Sequence, residues 1–255
     1  MRALLATARG ALQEAGANRA ALSWQMAVMV VNDVVWIVFW ALFFDRVGEL
    51  NGWDLQGLIL LNAVLTTAGG ITLGLLADAR RIGALVVEGG LDPVLALPVP
   101  TLPHLLVRRV MPTNLGDLAF GVTLFAVAGD PTPGRTAVFV LVTLTATVLL
   151  TAFLVLIGSL AFFVGRSETG EIGFHAMLLL AAYPADLFGG GARLLLYTVI
   201  PAAFVTTVPV RLVNDFDLAD AALLLTVSGV AALAALATFQ RGLRRYTSGA
   251  VWTQA

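Results

Sequence analysis

The sequence predicts an all-α polytopic membrane protein with about six transmembrane helices and a broken, re-entrant region before the last of them. The 255 residues are 59% hydrophobic and 12% charged, with a mean hydropathy of +0.91, whereas about a quarter of a soluble domain is charged. Apolar runs recur near the length of about 20 residues that a helix needs to cross a bilayer. These runs lack the strict alternation of a transmembrane β-strand.

Cysteine and lysine are both absent, so all 15 basic residues are arginine. The missing cysteine excludes disulfides, thiolate metal sites and cysteine nucleophiles. The missing lysine excludes a Walker A loop, whose lysine contacts the phosphates of ATP. We therefore expect this chain to be non-catalytic, with no metal site and no cofactor of its own. The net charge of −1 gives no reason to expect a nucleic-acid partner.

The first element, residues 1–22, has alanine and leucine at helical spacing, with Arg2, Arg9 and Gln13 on the opposite side. This pattern predicts an amphipathic helix at the cytoplasmic membrane interface. The alternative is a frayed polar tail. Arg9 interrupts the apolar run too early for a cleaved signal peptide.

The membrane domain is predicted to span residues 23–240 and to be followed by a cytoplasmic tail, 241–255. No polar stretch in it is long enough for a soluble domain. It contains a long loop at 78–109 and a region interrupted by proline and glycine at 184–213. Its apolar runs are 24–44, 57–77, 110–128, 136–164, 173–183 with a broken continuation to 213, and 219–239.

The arginines predict the orientation of these spans. With the N-terminus inside, 11 arginines lie in inner loops and tails, whereas Arg46, Arg135, Arg193 and Arg211 lie outside. Short arginine-rich loops stay in the cytoplasm. We therefore expect a multi-pass protein of the plasma membrane with both termini cytoplasmic.

The loop after the second span has two glycines, four prolines and a short apolar turn within residues 88–109. Gly89-Gly90 and Asp92-Pro93 are turn signals, and the apolar residues 94–97 are too few to cross the bilayer. Such a patch needs a protein or membrane partner. It is either a docking element for a cytoplasmic subunit or a re-entrant, interfacial loop.

The stretch EGGLDPVLALPVP (88–100) resembles the coupling loop of ABC-2 type transporter permeases, particularly the small six-span permeases that pair with a separate ATPase. The stretch 183–213 is similar to the Tyr-Pro, Ile-Pro and closing-proline pattern of the same family. The resemblance implies two ATP-binding cassette ATPase subunits that carry ATP and Mg²⁺, and a second permease, more often a paralogue than an identical copy. It also implies an ATPase contact at Glu88, Gly90, Leu91, Asp92, Leu95 and Pro98.

The region before the last span cannot form one straight helix, because it holds several prolines and three consecutive glycines. Broken backbone at membrane depth is tolerated where it is buried in protein or lines a wet cavity. The region is therefore part of an exit path or a plain extracellular loop, and an Asp186–Arg193 ion pair is expected to join its short helices. The candidate residues are Tyr183, Pro184, Asp186, Arg193, Pro201 and Pro209.

Asp33 in the first span and Asp117 in the third are the carboxylates placed deepest in the hydrocarbon. An unpaired charge there costs several kcal/mol, so each needs a partner or a proton. Either they form structural hydrogen bonds or they handle substrate or protons. Gly70 and Gly74 form a Gly-x-x-x-Gly pair that permits close helix approach within or between subunits.

A polytopic membrane protein of this kind could have one of three functions. The first is the permease subunit of an exporter that moves an amphipathic, lipid-like or drug-like substrate outward. The second is a proton-coupled secondary transporter that uses Asp33 and Asp117, although no inverted repeat is evident. The third, an intramembrane enzyme, needs a clustered nucleophile and base, and the isolated His104, His175, Ser23, Ser159 and Ser167 provide none.

Overall fold

The computed structural model describes residues 2–165 and 168–247. Arg166, Ser167 and the tail from 248 to 255, which the sequence places inside, lie outside the described residues. No β-strand occurs within the two described ranges. The α-helices are α1 Arg2–Gly16, α2 Arg19–Val47, α3 Leu55–Gly69, α4 Ile82–Val87, α5 Asp92–Leu95, α6 Thr101–Val107, α7 Pro112–Ala128, α8 Pro133–Ser159, α9 Ala161–Val164, α10 Glu168–Ala181, α11 Gly190–Thr198, α12 Ala202–Val205, α13 Thr207–Asn214 and α14 Leu218–Leu243.

Four helical segments are long and apolar enough to cross a membrane: Arg19–Val47, Leu55–Leu75, Pro133–Val164 and Leu218–Leu243. Two bent pairs pass the same test together. Helices α6 and α7 meet at 79°, and α11 meets Ala202–Asn214 at 60°. With each bent pair counted as one span, the total is up to six, which confirms the predicted fold class.

Among the described residues, side-chain caps from Asn, Asp or Thr begin four of these helices. Asn18 accepts a hydrogen bond from the amide of Ala21 (3.0 Å), and so caps α2. Asp54, Thr132 and Asp217 cap α3, α8 and α14 in the same way. Such caps satisfy amide groups that the first turn of a helix leaves without partners.

Helix α8 lies at the centre of the bundle. It packs against α14 along most of its length and also contacts α3, α10 and α13. The main hydrophobic core contains Leu61 of α3, Leu149 of α8 and Val205 of α12, none of which is more than 1% exposed. In contrast, the buried residues of α2 are Trp40 and Phe44, both near its C-terminal end.

Polar contacts gather the connecting segments at two ends of the bundle. At one end of the bundle, which we call the Asp186 end, Gln56 contacts Asp130 and Arg135 contacts Asn214. At the opposite end, the Asp78 end, Arg80 contacts Glu171. Each of these contacts joins segments that the predicted topology places on the same side of the membrane.

The fifth crossing is less regular than the others. Helix α10 has 14 residues, which rise about 21 Å, short of the roughly 30 Å of hydrocarbon. Pro184 follows it and precedes a short 3₁₀ turn at Ala185–Leu187. The chain then continues as α11, α12 and α13, so the predicted broken region is present as three short helices.

Candidate functional site

The segment between the second and third spans folds back on the Asp78 end. Asp78 is 1% exposed, and its carboxylate is 2.5 Å from Nε of Arg108 and 3.5 Å from a guanidinium nitrogen of Arg81. A buried carboxylate is retained where cations and hydrogen bonds compensate its charge. Because Asp78 and Arg108 lie at opposite ends of the segment, their ion pair closes it into a loop.

One side of this loop is anchored in a small hydrophobic core. Leu91 and Val94 are buried against Leu105 of α6 and Phe239 of α14. Gly89 makes the turn before α5 with φ of +73°, a conformation that favours glycine. The loop is therefore held in place by both its own helices and α14.

The other side of the loop is exposed and apolar. We name residues 93–98 the docking tip. Leu95 is 40% exposed and Leu97 is 45% exposed, in a sequence whose other members are also apolar. Among the residues predicted to contact an ATPase, Glu88, Leu95 and Pro98 face outward, Gly90 and Asp92 are half-buried, and Leu91 packs inward.

The end of α14 reaches the same loop. The hydroxyl group of Tyr246 donates a hydrogen bond of 2.9 Å to Oδ1 of Asp92. The ring of Phe162 stands edge-on to the rings of Tyr246 and Phe239, and a Cβ atom at Gly242 would overlap the Phe162 ring. Asp92, which precedes the docking tip, is thus tied to the segment after α14 and, through the Phe162 ring, to α9.

Asp33 and Asp117 come together between α2 and α7. Helices α2 and α7 pack together there, so the two carboxyl groups interact electrostatically, and Asn114 donates to Oδ2 of Asp117 (3.2 Å). Asp117 is 8% exposed. Oδ2 of Asp33 and Oδ1 of Asp117 are enclosed without a hydrogen-bond partner among the described residues. The two carboxylates expected to need partners are therefore each other's neighbours.

Asp186 organises the opposite end of the bundle. Its carboxylate forms the expected ion pair with Arg193 (2.9 Å) and a second ion pair with Arg211, one nitrogen of which lies 2.7 Å from both carboxylate oxygens. The indole of Trp53 donates to the same carboxylate at 3.2 Å. These contacts join the loop between α2 and α3 to α11 and α13. The surrounding pocket of about 480 Å³ is open and polar.

Two threonine side chains form hydrogen bonds with backbone groups where the helices before α14 are interrupted. The hydroxyl group of Thr206 donates to the carbonyl of Ala181 (2.9 Å), and the amide of Ala185 donates to Oγ1 of Thr207 (2.8 Å). Both threonines are completely buried. Backbone groups that leave a helix inside a membrane need such partners.

A groove of about 310 Å³ opens beside the same region. Tyr197 and Pro201 line it from α11 and the turn before α12, and Phe153 and Val230 line it from α8 and α14. Of the other predicted residues, Tyr183 contacts the rings of Trp36 and Trp40, whereas Pro184 and Pro209 occupy buried positions. The region is thus packed on one face and open on the other.

The Gly-x-x-x-Gly pair packs within the chain. Gly70 begins a π-helical stretch, Gly70–Leu75, that continues α3. A Cβ atom at Gly70 would overlap the backbone of Leu118 in α7, and one at Gly74 would press on Leu115. The close helix approach that this motif predicts therefore occurs within the chain, between the Gly70–Leu75 stretch and α7.

The histidines lie apart. His104 is 3.4 Å from the hydroxyl of Thr7 in α1, and His175 contacts the carbonyl of Glu171 at 2.7 Å. Among the residues that the structure describes, no group of three or more His, Asp or Glu side chains is arranged to hold a metal ion. Ser159 donates to a carbonyl of its own helix.

Sequence reasoning missed several residues of these sites. Asp78 was treated as a loop boundary, although the arginines at 80, 81, 108 and 109 signalled a partner for it. Tyr246 lies 154 positions from Asp92 and Trp53 lies 133 positions from Asp186, and no local pattern marks either pair. Thr206 and Thr207 carried a signal, because a paired threonine beside prolines offers hydroxyl groups to broken backbone.

Comparison with known proteins gives one family. A family model described as "ABC-2 family transporter protein" matches residues 30–250. The match begins within α2 and ends beyond α14, so it includes the docking tip and both broken regions. No curated protein and no solved structure matches the chain.

Proposed function

The chain belongs to the ABC-2 family of transporter proteins, and on this premise we propose that it is the permease subunit of an ATP-binding cassette exporter. In this proposal two ATPase subunits bind and hydrolyse ATP with Mg²⁺ on the cytoplasmic side of the plasma membrane. A second permease, a paralogue of this chain, completes the path. The substrate is an amphipathic, lipid-like or drug-like molecule that moves outward.

The docking tip is the observation that carries this proposal. Its apolar side chains are exposed at the end of the bundle that holds most of the arginines. The positive-inside rule places that end in the cytoplasm, where exposed leucines gain from burial against a protein partner. An ATPase subunit is the partner that the family membership favours.

The anchoring of the tip supports a mechanical role. Leu91 and Val94 hold the tip to α14, and the Asp78–Arg108 pair holds it to the start of α7. A displacement of the tip by an ATPase would therefore move α7 and α14 together. Both belong to the bundle that would surround a substrate path, so closure of the ATPase subunits would change access to that path.

Co-purification tests this proposal. A tagged chain is purified in mild detergent from its native host, and its partners are identified by mass spectrometry. We expect ATPase subunits to co-purify with the unaltered chain and to be lost with Leu95→Asp and Leu97→Asp. Val164→Asp is the matched control, because Val164 is 62% exposed at the same end but lies outside the tip. A chain that purifies without an ATPase contradicts the proposal.

The second candidate is a proton-coupled secondary transporter. The contact between Asp33 and Asp117 favours it, because two adjacent carboxyl groups in a membrane are suited to carry a proton. Purified chain reconstituted in vesicles distinguishes the two candidates. Substrate flux driven by a proton gradient without ATP supports the secondary transporter, and flux that requires the ATPase and ATP supports the exporter.

A further inference from the structure

A pocket of about 380 Å³ opens at the Asp78 end, where α4, α9 and the segment after α14 meet. We name it the α9 pocket. Its lining includes Val86, Val87, Phe162, Val164, Arg245 and Tyr246. Most of these side chains are apolar and one is a cation, so the pocket suits a ligand that has both a hydrocarbon part and an anionic group.

The α9 pocket lies at the surface of the membrane. The segment Pro133–Val164 is long and apolar enough to cross a bilayer, and the pocket forms around its C-terminal residues. Val164 is 62% exposed and Val87 is 40% exposed. Side chains at the end of a span lie between the hydrocarbon core and the polar headgroup region. The pocket is therefore within reach of both parts of a phospholipid.

Arg245 brings a positive charge to the pocket. Its guanidinium carbon lies 5.3 Å from the centre of the Phe163 ring, and the face of such a ring attracts a cation. Within the described part of the chain, no carboxylate forms an ion pair with Arg245. Arginine presents a planar fork of donors that matches the geometry of a phosphate group. The guanidinium group of Arg245 can therefore pair with a phosphate at the pocket.

The surroundings of Arg245 are also net positive. Arg241 and Arg244 are exposed at the end of α14, and neither forms an ion pair with a described residue. The facing loop provides two carboxylates close to the pocket, those of Glu88 and Asp92. Three arginines against two carboxylates leave one positive charge. Basic pockets between membrane helices on the cytoplasmic side bind anionic lipid headgroups.

The combination of charge and apolar surface favours a lipid over other anions. A free phosphate ion would use the arginine but would leave Val87 and Val164 exposed to water. An acyl chain covers such side chains, and the burial of their apolar surface is favourable. The headgroup of a zwitterionic lipid adds a cation, which the three arginines repel. The ligand that satisfies all of these groups is a phospholipid with a net negative charge.

We propose that the α9 pocket binds an anionic phospholipid from the leaflet at the Asp78 end, with its phosphate on Arg245 and an acyl chain along Val87 and Val164. The site lies outside the docking tip and does not rest on the proposed transport function. A lipid bound there would contact the ring of Tyr246.

Two phospholipids with the same acyl chains test the site. The purified chain, without ATPase, is titrated in detergent with dioleoylphosphatidylglycerol, which is anionic, or with dioleoylphosphatidylcholine, which is zwitterionic. Native mass spectrometry counts the lipid molecules that stay bound. We expect phosphatidylglycerol to bind about tenfold more tightly than phosphatidylcholine, because a charge-assisted hydrogen bond to the phosphate is retained without a repelled cation. Arg245→Gln should remove most of this preference.

Matched variants separate the pocket from a general attraction of anions to this end. Arg80→Gln removes a positive charge from outside the pocket, where it pairs with Glu171, and should leave binding unchanged. Val164→Asp should weaken the binding of phosphatidylglycerol by about tenfold, because it places a carboxylate near the phosphate. Arg245→Lys should keep part of the preference, since the charge remains while the planar fork is lost. Thermal unfolding without added lipid should be the same for all four variants, because the substituted side chains are exposed.

Three results would overturn the site. The first is equal affinity for the two lipids, and the second is a preference that Arg245→Gln leaves unchanged. The third is displacement of the lipid by an equal concentration of soluble glycerophosphoglycerol, which would show a phosphate site that needs no acyl chain. If Arg245→Gln abolishes co-purification of the ATPase and no lipid preference is found, the pocket belongs to the ATPase contact instead. Charge-selective lipid binding retains the site whether or not an ATPase co-purifies.

Discussion

The hydroxyl group of Tyr246 donates a hydrogen bond of 2.9 Å to the carboxylate of Asp92 across 154 positions of the chain. This contact joins the segment after α14 to the first residue of α5, next to the docking tip. It therefore sets the orientation of α5 relative to α9 and α14. Side chains of Phe162 and Phe239 support the Tyr246 ring.

Loss of this hydrogen bond is expected to loosen the docking tip. Tyr246→Phe keeps the ring and removes the donor, at a cost of about 1 kcal/mol. Amide hydrogen exchange in residues 92–97 should become about fivefold faster if this stretch opens locally. Mass spectrometry of the purified chain measures the rate. Tyr183→Phe is the control, because the Tyr183 hydroxyl forms no hydrogen bond with the described residues. Equal exchange rates in the two variants would show that Tyr246 does not hold the docking tip.

The membrane spans and the turn before the docking tip could be predicted, because hydropathy and turn-forming residues are local properties of the sequence. Apolar length identified α2, α8 and α14, and Gly89-Gly90 identified the turn that precedes α5, whereas Asp92-Pro93, also predicted as a turn, begins α5 itself. The partners of Asp92 and Asp186 were not predictable, because they depend on how distant helices pack. The same holds for Asp33 and Asp117, whose depth was evident from the sequence although their contact was not.

The two kinds of ion pair at the Asp78 end should differ in their contribution to stability. Arg108→Met leaves the buried carboxylate of Asp78 without its closest partner, and removal of one partner from a buried pair costs about 3–5 kcal/mol. Arg80→Met breaks the exposed pair with Glu171, in which both side chains are more than 40% exposed. Such pairs contribute about 0–1 kcal/mol.

Thermal unfolding in detergent, followed by fluorescence-detected size exclusion, checks this difference. We expect a clear loss of thermal stability in Arg108→Met and little change in Arg80→Met. The double variant Asp78→Leu with Arg108→Met should recover part of the loss, because no charge stays buried without a partner. Equal loss in both single variants would mean that burial of Asp78 does not determine the contribution of its pair.

Adjacent glycines in the second span provide a test of the α3–α7 contact. Gly70→Ala places a methyl group against the backbone of Leu118, whereas a Cβ atom at Gly69 meets nothing within 4 Å. Overpacking of this kind costs about 1–3 kcal/mol. Gly70→Ala should therefore lower the thermal stability of the purified chain, and Gly69→Ala should leave it unchanged or raise it slightly. If Gly69→Ala lowers the thermal stability more than Gly70→Ala does, the described contact between the second span and α7 is wrong.

The absence of native cysteine allows the predicted orientation to be tested with single cysteines in an otherwise unaltered chain. Leu95→Cys lies in the docking tip, and Glu49→Cys lies in the exposed loop between α2 and α3 at the opposite end of the bundle. If the Asp78 end lies in the cytoplasm, a membrane-impermeant maleimide should label Glu49→Cys in intact cells. It should label Leu95→Cys only in inverted membrane vesicles. The reversed pattern would place the docking tip outside the cell, out of reach of any cytoplasmic ATPase, and would remove the main support for the exporter. Protection of Leu95→Cys in vesicles that retain the ATPase, followed by labelling once the ATPase is stripped away, would identify the tip as the buried contact.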